Sequence, residues 1–227
     1  VQRGELLVEP SLAEALAPIE GPVSYLDFET IMPAVPVWHG CAPYEQVPVQ
    51  YSLHVDRGGA PAHHAWLAQA GADPRPALAA SLVEHVPASG SILAYNASFE
   101  GACLARLADA VPQHADALLA MKSRLFDLLP VVRDHVYHPD FRGSFSLKKV
   151  APALCGGGYG DLEVADGQLA AQKLEALLLR PDEVQGDEAE LRKQLLAYCE
   201  RDTEVLVALH RRLLDLGTQH GSHPRSG

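Results

Sequence analysis

Five side chains in this sequence have the types and positions to gather about a cation: Asp27, Glu29, Glu100, Tyr198 and Asp202. In the stretch SYLDFET, residues 24–30, two carboxylates stand two residues apart inside an otherwise apolar, β-rich run. Alternate residues of a strand share a face, so Tyr25, Asp27 and Glu29 line one side while Leu26 and Phe28 line the other. The acids are then about 6.5–7 Å apart at the backbone. On a half-buried sheet each raises the cost of ionising its neighbour unless something positive lies between them. A basic side chain or a divalent cation meets that need; an edge strand with both acids in water avoids it.

A third acid lies where an apolar residue belongs. From residue 187 to 215 the helical stripe runs Leu191, Leu195, Val205, Leu209, Leu213, and its missing steps are supplied by Tyr198 and Asp202. An aspartate on a buried face is paired, either with arginine or with a metal. Tyr198 sits one turn earlier on that face, whereas Glu200, Arg201 and Glu204 fall on other faces and read as solvated. In AYNASFEGACLARL, a strand turns at Asn96, Ser98 has the character of an N-cap, and Glu100 opens a helix continued by Leu104, Leu107 and Val111. A first-turn carboxylate is favoured by the helix dipole whatever its role. Together the four acids and the tyrosine are expected to converge on one cation-rich site.

The elements that must carry these residues follow from periodicity. Residues 23–30, 47–55 and 91–96 read as strands bounded by Pro or Gly, with a weaker candidate at 63–68. Helical spacing covers 75–86, 98–110, 115–129, 146–154, 166–179 and 187–215. The expected class is α/β, a mixed central sheet with helices packed on both faces. Between the first two strands a long connection carries Pro33, Pro36, Pro43 and Pro48, a length typical of binding loops. Its Trp38 and Tyr44 either offer stacking surfaces to a base or pin the loop to the core.

With 227 residues, 48% of them hydrophobic, the chain suits one sizeable domain, expected over 21–216, with a linker-like lead-in at 1–20 and a disordered tail at 217–227. Beginning at Val1, it reads as a segment of a longer protein. No signal sequence and no apolar run of the roughly 18 residues a membrane span requires are present, so the cytoplasm is the expected location. Cys41, Cys103, Cys155 and Cys199 are far apart and read as reduced, structural thiols. The net charge of −11 argues against coating nucleic acid by broad phosphate neutralisation. A narrow catalytic groove is compatible with it, because bound divalent cations offset part of the acidic surplus.

Other residues offer less. Arg142, Lys148 and Lys149 either touch phosphates or mark a solvated helix start. Asp127 reads as a turn-bonding acid more than a metal ligand, and GGGYG at 156–160 as a flexible turn lacking the P-loop ending. His135 and His138 have chelating spacing but no third ligand.

At these residues the sequence resembles the DEDD superfamily of metal-dependent 3′→5′ exonucleases, which have an RNase H-like fold. The D-x-E of its first motif is matched by Asp27 and Glu29 in LDFET, the second motif by Glu100 after NASF, and the tyrosine form of the third by Tyr198 and Asp202 in YCERD. The departure is Glu100, where that superfamily usually has Asp; its extra methylene moves the carboxylate outward. More closely, YLDFET, the Pro-rich loop, QYSLHV, AYNASFE and YHPDFRGSFSLKKVAPAL resemble an uncharacterised bacterial domain family assigned to the superfamily and often found downstream of another nuclease-like domain. The resemblance covers about residues 20–215. It implies two Mg²⁺ or Mn²⁺ ions held by Asp27, Glu29, Glu100 and Asp202, with Tyr198 orienting the attacking water. The implied partner is DNA or RNA, as a single-stranded 3′ end, in contact with Trp38, Tyr44, Asn96, Arg142 and Lys148. The alternative is a degenerate module that keeps the fold and binds nucleic acid or a protein without cutting.

Overall fold

A computed structural model describes residues 5–156, 167–184 and 186–221. Its centre is a five-stranded mixed sheet in the order β4-β3-β2-β5-β6. The strand β2 (Val23–Ile31) pairs antiparallel with β3 (Val47–Asp56), which pairs antiparallel with β4 (Ala62–Leu67). On its other side β2 runs parallel to β5 (Ile92–Ala94), and β5 parallel to β6 (Leu125–Asp127). The weak strand candidate at 63–68 is therefore a real edge strand, and the one expected over 91–96 is confined to three residues.

Alternation along β2 sorts the two faces. Leu26 and Phe28 join Tyr51, Leu53 and Val55 in a core closed by α2 (Pro74–His85), α3 (Ser98–Ala110) and α4 (Ala115–Ser123). The opposite face presents Tyr25, Asp27 and Glu29, whose register partners on β3 are His54, Ser52 and Gln50. Across it lies α8 (Glu188–Gly221), joined to the strands by polar contacts as well as apolar ones. The Gln50 amide donates to Leu195 O at 2.8 Å, Ser52 and His54 both meet the Thr203 hydroxyl, and the Tyr25 hydroxyl lies 2.8 Å from His210 Nδ1. Such bonds fix the helix in rotation and height, which apolar packing alone specifies less sharply.

The helix expected over 115–129 is two helices with a strand between them. After α4, Arg124 leaves helical geometry at φ −101°, ψ 4°, and its guanidinium donates to Pro87 O and Gly90 O. Residues 125–127 then satisfy the open edge of β5, and the Asp127 side chain caps α5 (Leu128–His135) by accepting from Leu129 N. The leucine spacing is compatible with a helix throughout; the demand of an unpaired parallel strand overrides it.

The lead-in expected over 1–20 is also corrected. Leu7 and Val8 form β1, paired antiparallel with β7 (Val136–Tyr137), and α1 (Leu12–Leu16) buries Leu12 and Leu16 in the core shared with α5 and α8. Two leucines four residues apart are enough to seat so short a helix once a groove between larger helices receives them. At the other end α8 continues to Gly221, past the expected boundary at 216, while residues 222–227 lie outside the described ones. Between them α6 (Leu147–Cys155) and α7 (Gly167–Leu179) flank α8. All four cysteines are free. No helix among the described residues is long and apolar enough to cross a membrane.

Candidate metal centre

One carboxylate oxygen from each of Asp27, Glu29 and Asp202 lies within 4.8 Å of the other two. Asp27 and Glu29 come from the middle of β2, and the pairing of β2 with β3 shifts register between Glu29 and Thr30. The extra residue is Val49 on β3, so that strand bends opposite Glu29. Asp202 comes from α8, on the stripe that also buries Tyr198, Val205 and Leu209. All three acids are half-buried. Glu100, in the first turn of α3, is not among the three, yet it is only 3% exposed and its Oε2 has no hydrogen-bond partner. A buried carboxylate oxygen without a donor is costly.

The electrostatics agree with that geometry. Burial raises the Asp27 pKa well above the carboxylate range, and the neighbouring Asp202, Glu29 and Glu100 raise it further. Glu29 is pushed up to about 8 by burial and by Asp202, against an opposing pull from Lys148. Glu100 also rises to about 8, through burial first, with a smaller contribution from Asp127. Three acids held in this manner beside Asp202 want positive charge. The donor set is oxygen only, the kind hard divalent ions such as Mg²⁺ and Mn²⁺ prefer.

Tyr198 borders the acids from one turn earlier on α8 and is 4% exposed. Lys148, from the first turn of α6, donates to its hydroxyl at 3.2 Å, and Gly167 at the start of α7 approaches so closely that a Cβ there would lie 3.4 Å from the same oxygen. Beside Asp27 and Asp202 a cavity of about 640 Å³ opens between the end of β5, α5 and α6, lined by Tyr95, Asn96, Arg133 and Lys148 among others. Its size admits a nucleotide.

The remaining candidates separate. Asn96 is exposed at the cavity, holding a left-handed φ of 72° and donating its N–H to Asp127 Oδ1. Ser98 is not the N-cap; its hydroxyl donates to the Asn96 side chain, and Ala97 occupies the cap position. Asp127 is the turn-bonding acid the sequence suggests. Trp38 is half-buried against the core cluster that includes Ile31, Val47 and Leu67, pinning its loop, whereas Tyr44 is 68% exposed. Arg142 and Lys149 are exposed and do not line that cavity. His135 bonds to Ser11, and His138 accepts from Asp140 N, so the pair does not chelate. Apart from Gly156, which caps α6, the glycine run lies outside the described residues.

Two partners of the site were not legible. The buried Cys199 thiol lies 3.4 Å from Asp27 Oδ2, and Glu200, expected in solvent, pairs with His63 at 3.2 Å. The first follows from the residue before it, since a helix packed on two sides buries adjacent positions; the second requires the strand pairing of β3 and β4. No curated protein and no solved structure matches the chain. The matched family segment takes in Asp27, Glu29 and Glu100 and ends before Tyr198 and Asp202. Residues 24–146, more than half of the chain, match the model of a domain of unknown function, DUF2779, and the chain belongs to that family.

Proposed function

We propose that this domain is a metal-dependent 3′→5′ exonuclease of RNase H-like architecture, hydrolysing phosphodiester bonds of DNA or RNA. One observation carries the reading: the oxygens of Asp27, Glu29 and Asp202 meet within 4.8 Å, with the unpartnered oxygen of Glu100 buried near Asp27. Asp27, Glu29, Glu100 and Asp202 are the residues that would hold two Mg²⁺ or Mn²⁺ ions. When bound, such ions supply a water that is nucleophilic at neutral pH and charge to stabilise the leaving 3′-oxygen.

The chain's own groups supply position. Burial and the surrounding carboxylates keep Tyr198 protonated, so it acts as a hydrogen-bond donor that orients the water, not as a base. Lys148 holds the Tyr198 oxygen and reaches the cavity, where its charge suits a phosphate oxygen. Asn96, exposed on the rim, is placed to bond a sugar or base. The net charge of −11 disfavours broad docking of phosphate elsewhere, which favours this groove.

The test is a 5′-labelled single-stranded DNA and an RNA incubated with Mn²⁺, Mg²⁺ or EDTA, beside Asp202→Ala. A ladder shortening from the 3′ end that disappears with EDTA and with Asp202→Ala is expected. Binding of the oligonucleotide without any cleavage under Mn²⁺ would establish the non-cutting module instead, and cleavage of a circular substrate would make the enzyme an endonuclease.

A further inference from the structure

Towards the β4 edge of the same sheet face, a second group of ligating side chains converges. One nitrogen each of His54 on β3 and His63 on β4, and one carboxylate oxygen of Glu200 on α8, lie within 4.8 Å of one another. The two imidazoles are cross-strand register partners, stacked at 4.6 Å between centroids. Beneath them runs a chain of hydroxyl contacts. The Thr203 hydroxyl donates to Glu200 O at 3.0 Å, the usual bond of a helical threonine to the preceding turn. Its oxygen also lies 2.7 Å from Ser52 Oγ and 2.8 Å from His54 Nδ1. Ser52 Oγ in turn lies 3.0 Å from His63 Nε2.

With His54 Nδ1 and His63 Nε2 each beside a hydroxyl, a neutral ring that donates to its hydroxyl keeps a lone pair on the other nitrogen, His54 Nε2 or His63 Nδ1. The latter faces Glu200 Oε1 at 3.2 Å. That spacing has room for a metal ion held by both atoms once His63 Nδ1 carries no proton. A separation of 3.2 Å also suits neighbouring ligands of a tetrahedral Zn²⁺, whose bonds of about 2.0–2.1 Å place donors about 3.3 Å apart. We propose that His54, His63 and Glu200 form a site for Zn²⁺ or a similar d-block ion, chemically distinct from the all-oxygen centre and independent of the exonuclease reading. Two imidazoles and one carboxylate are a recognised zinc donor set, with one position left open to water. Thr203 and Ser52 support it by holding one nitrogen of each ring, at His54 Nδ1 and His63 Nε2, the usual work of groups behind a metal ligand. An ion here would tie β3 and β4 to α8 at Glu200, two residues from Asp202. His63 and Glu200 are 26% and 40% exposed at the side chain, so an ion can enter from solvent.

The whole chain carrying Asp27→Asn and Asp202→Asn, which silences the carboxylate centre, should be titrated with Co²⁺ in the visible range and with Zn²⁺ by calorimetry. One equivalent is expected, with the intense absorption of four-coordinate cobalt, reversed by Zn²⁺. Adding His63→Gln or Glu200→Gln, both at half-exposed positions, should weaken the affinity at least about 30-fold while circular dichroism stays unchanged. The proposal is overturned if no saturable binding is seen, or if binding survives both substitutions. A His63 ring protonated at neutral pH in ¹⁵N spectra with Zn²⁺ in excess would likewise overturn it, since the bridging cation would then be a proton.

Discussion

The Lys148 ammonium donates to the Tyr198 hydroxyl across 3.2 Å and stands 5.1 Å from the centre of its ring. A phenol oxygen that accepts from lysine keeps its own proton to give, and burial with Asp202, Glu29 and Asp27 nearby holds that proton on. Tyr198→Phe should therefore lower the single-turnover cleavage rate about 10- to 100-fold without changing Mn²⁺ stoichiometry, the scale of one lost positioned donor. Lys148→Met should reduce it similarly and raise KM as well. An unchanged rate in Tyr198→Phe would remove the hydroxyl from the mechanism.

Asp27, Glu29 and Asp202 are held together against mutual repulsion when no cation is bound. Asp202→Asn should accordingly stabilise the metal-free protein by about 1–2 kcal/mol while abolishing cleavage, because relieving like charges in a half-buried cluster outweighs one lost carboxylate contact. Urea denaturation in EDTA measures this. In excess Mn²⁺ the order should reverse, since the native chain gains binding energy that the variant lacks.

Glu100 tests whether the longer acid is a ligand. Its Oε2 lacks a partner in a position only 3% exposed. Glu100→Gln should reduce Mn²⁺ binding from two equivalents to one, read by calorimetry, and slow cleavage at least about 100-fold. Two equivalents retained in Glu100→Gln would make it a structural acid of α3.

What the sequence disclosed about this site is what periodicity controls. Period two puts Asp27 and Glu29 on one face, and the α8 stripe puts Asp202 where leucine is expected, so each acid was visible before any pairing was known. Glu100 was visible as the start of α3. The class of fold followed from strands at 23–30 and 47–55 preceding long helices. Hidden were the features that depend on what a segment meets. Residues 125–127 keep a helical leucine spacing and become β6 only because β5 has an open edge; Leu7, Val8, Leu12 and Leu16 look like a lead-in until β7 and α8 receive them. The grouping of His54, His63 and Glu200 needs the register of two strands and the rotation of α8, none of which any local pattern records.

His210 predicts a pH dependence of stability. It is 4% exposed, bonded through Nδ1 to Tyr25, and burial first, with Arg211 assisting and Asp56 opposing, lowers its pKa to about 4. The folded pKa is below the ordinary value near 6.5, so between pH 6.5 and 4 the unfolded chain takes up a proton that the native chain refuses. Stability from this group is full above pH 6.5 and is lost as pH falls towards 4. His54, lowered to about 4 by burial and by His63 and His64, acts in the same direction. Asp27, Glu29 and Glu100, raised in the fold, act in the opposite direction over this range, so the difference is the measure: from pH 7 to pH 5 in EDTA, the urea midpoint of His210→Gln should rise relative to that of the native chain. A slope unaffected by the substitution would assign the acid sensitivity elsewhere.

Gly90 leads into β5 and is the tightest backbone approach in the sheet's support. Its φ is +85°, and a Cβ there would lie 1.9 Å from Pro22 O and under 3 Å from two more backbone atoms of Pro22. No side-chain rotation relieves a clash with backbone, and L-residues resist that φ. The neighbouring bonds register β5 on β2: Ser91 N donates to Glu20 O, Ser24 N to Ser91 O, and Arg124 to Gly90 O. Gly90→Ala should therefore cost about 3 kcal/mol, lowering Tm by roughly 10 °C. Gly59→Ala, with nothing within 4 Å of its Cβ, should shift Tm by no more than about 2 °C. Because β5 hands the chain to Asn96 and Glu100, Gly90→Ala should also weaken Mn²⁺ binding, while Gly59→Ala leaves it unchanged. Equal thermal shifts for the two variants would mean that the Pro22–Gly90 approach relaxes freely and does not hold β5 in place.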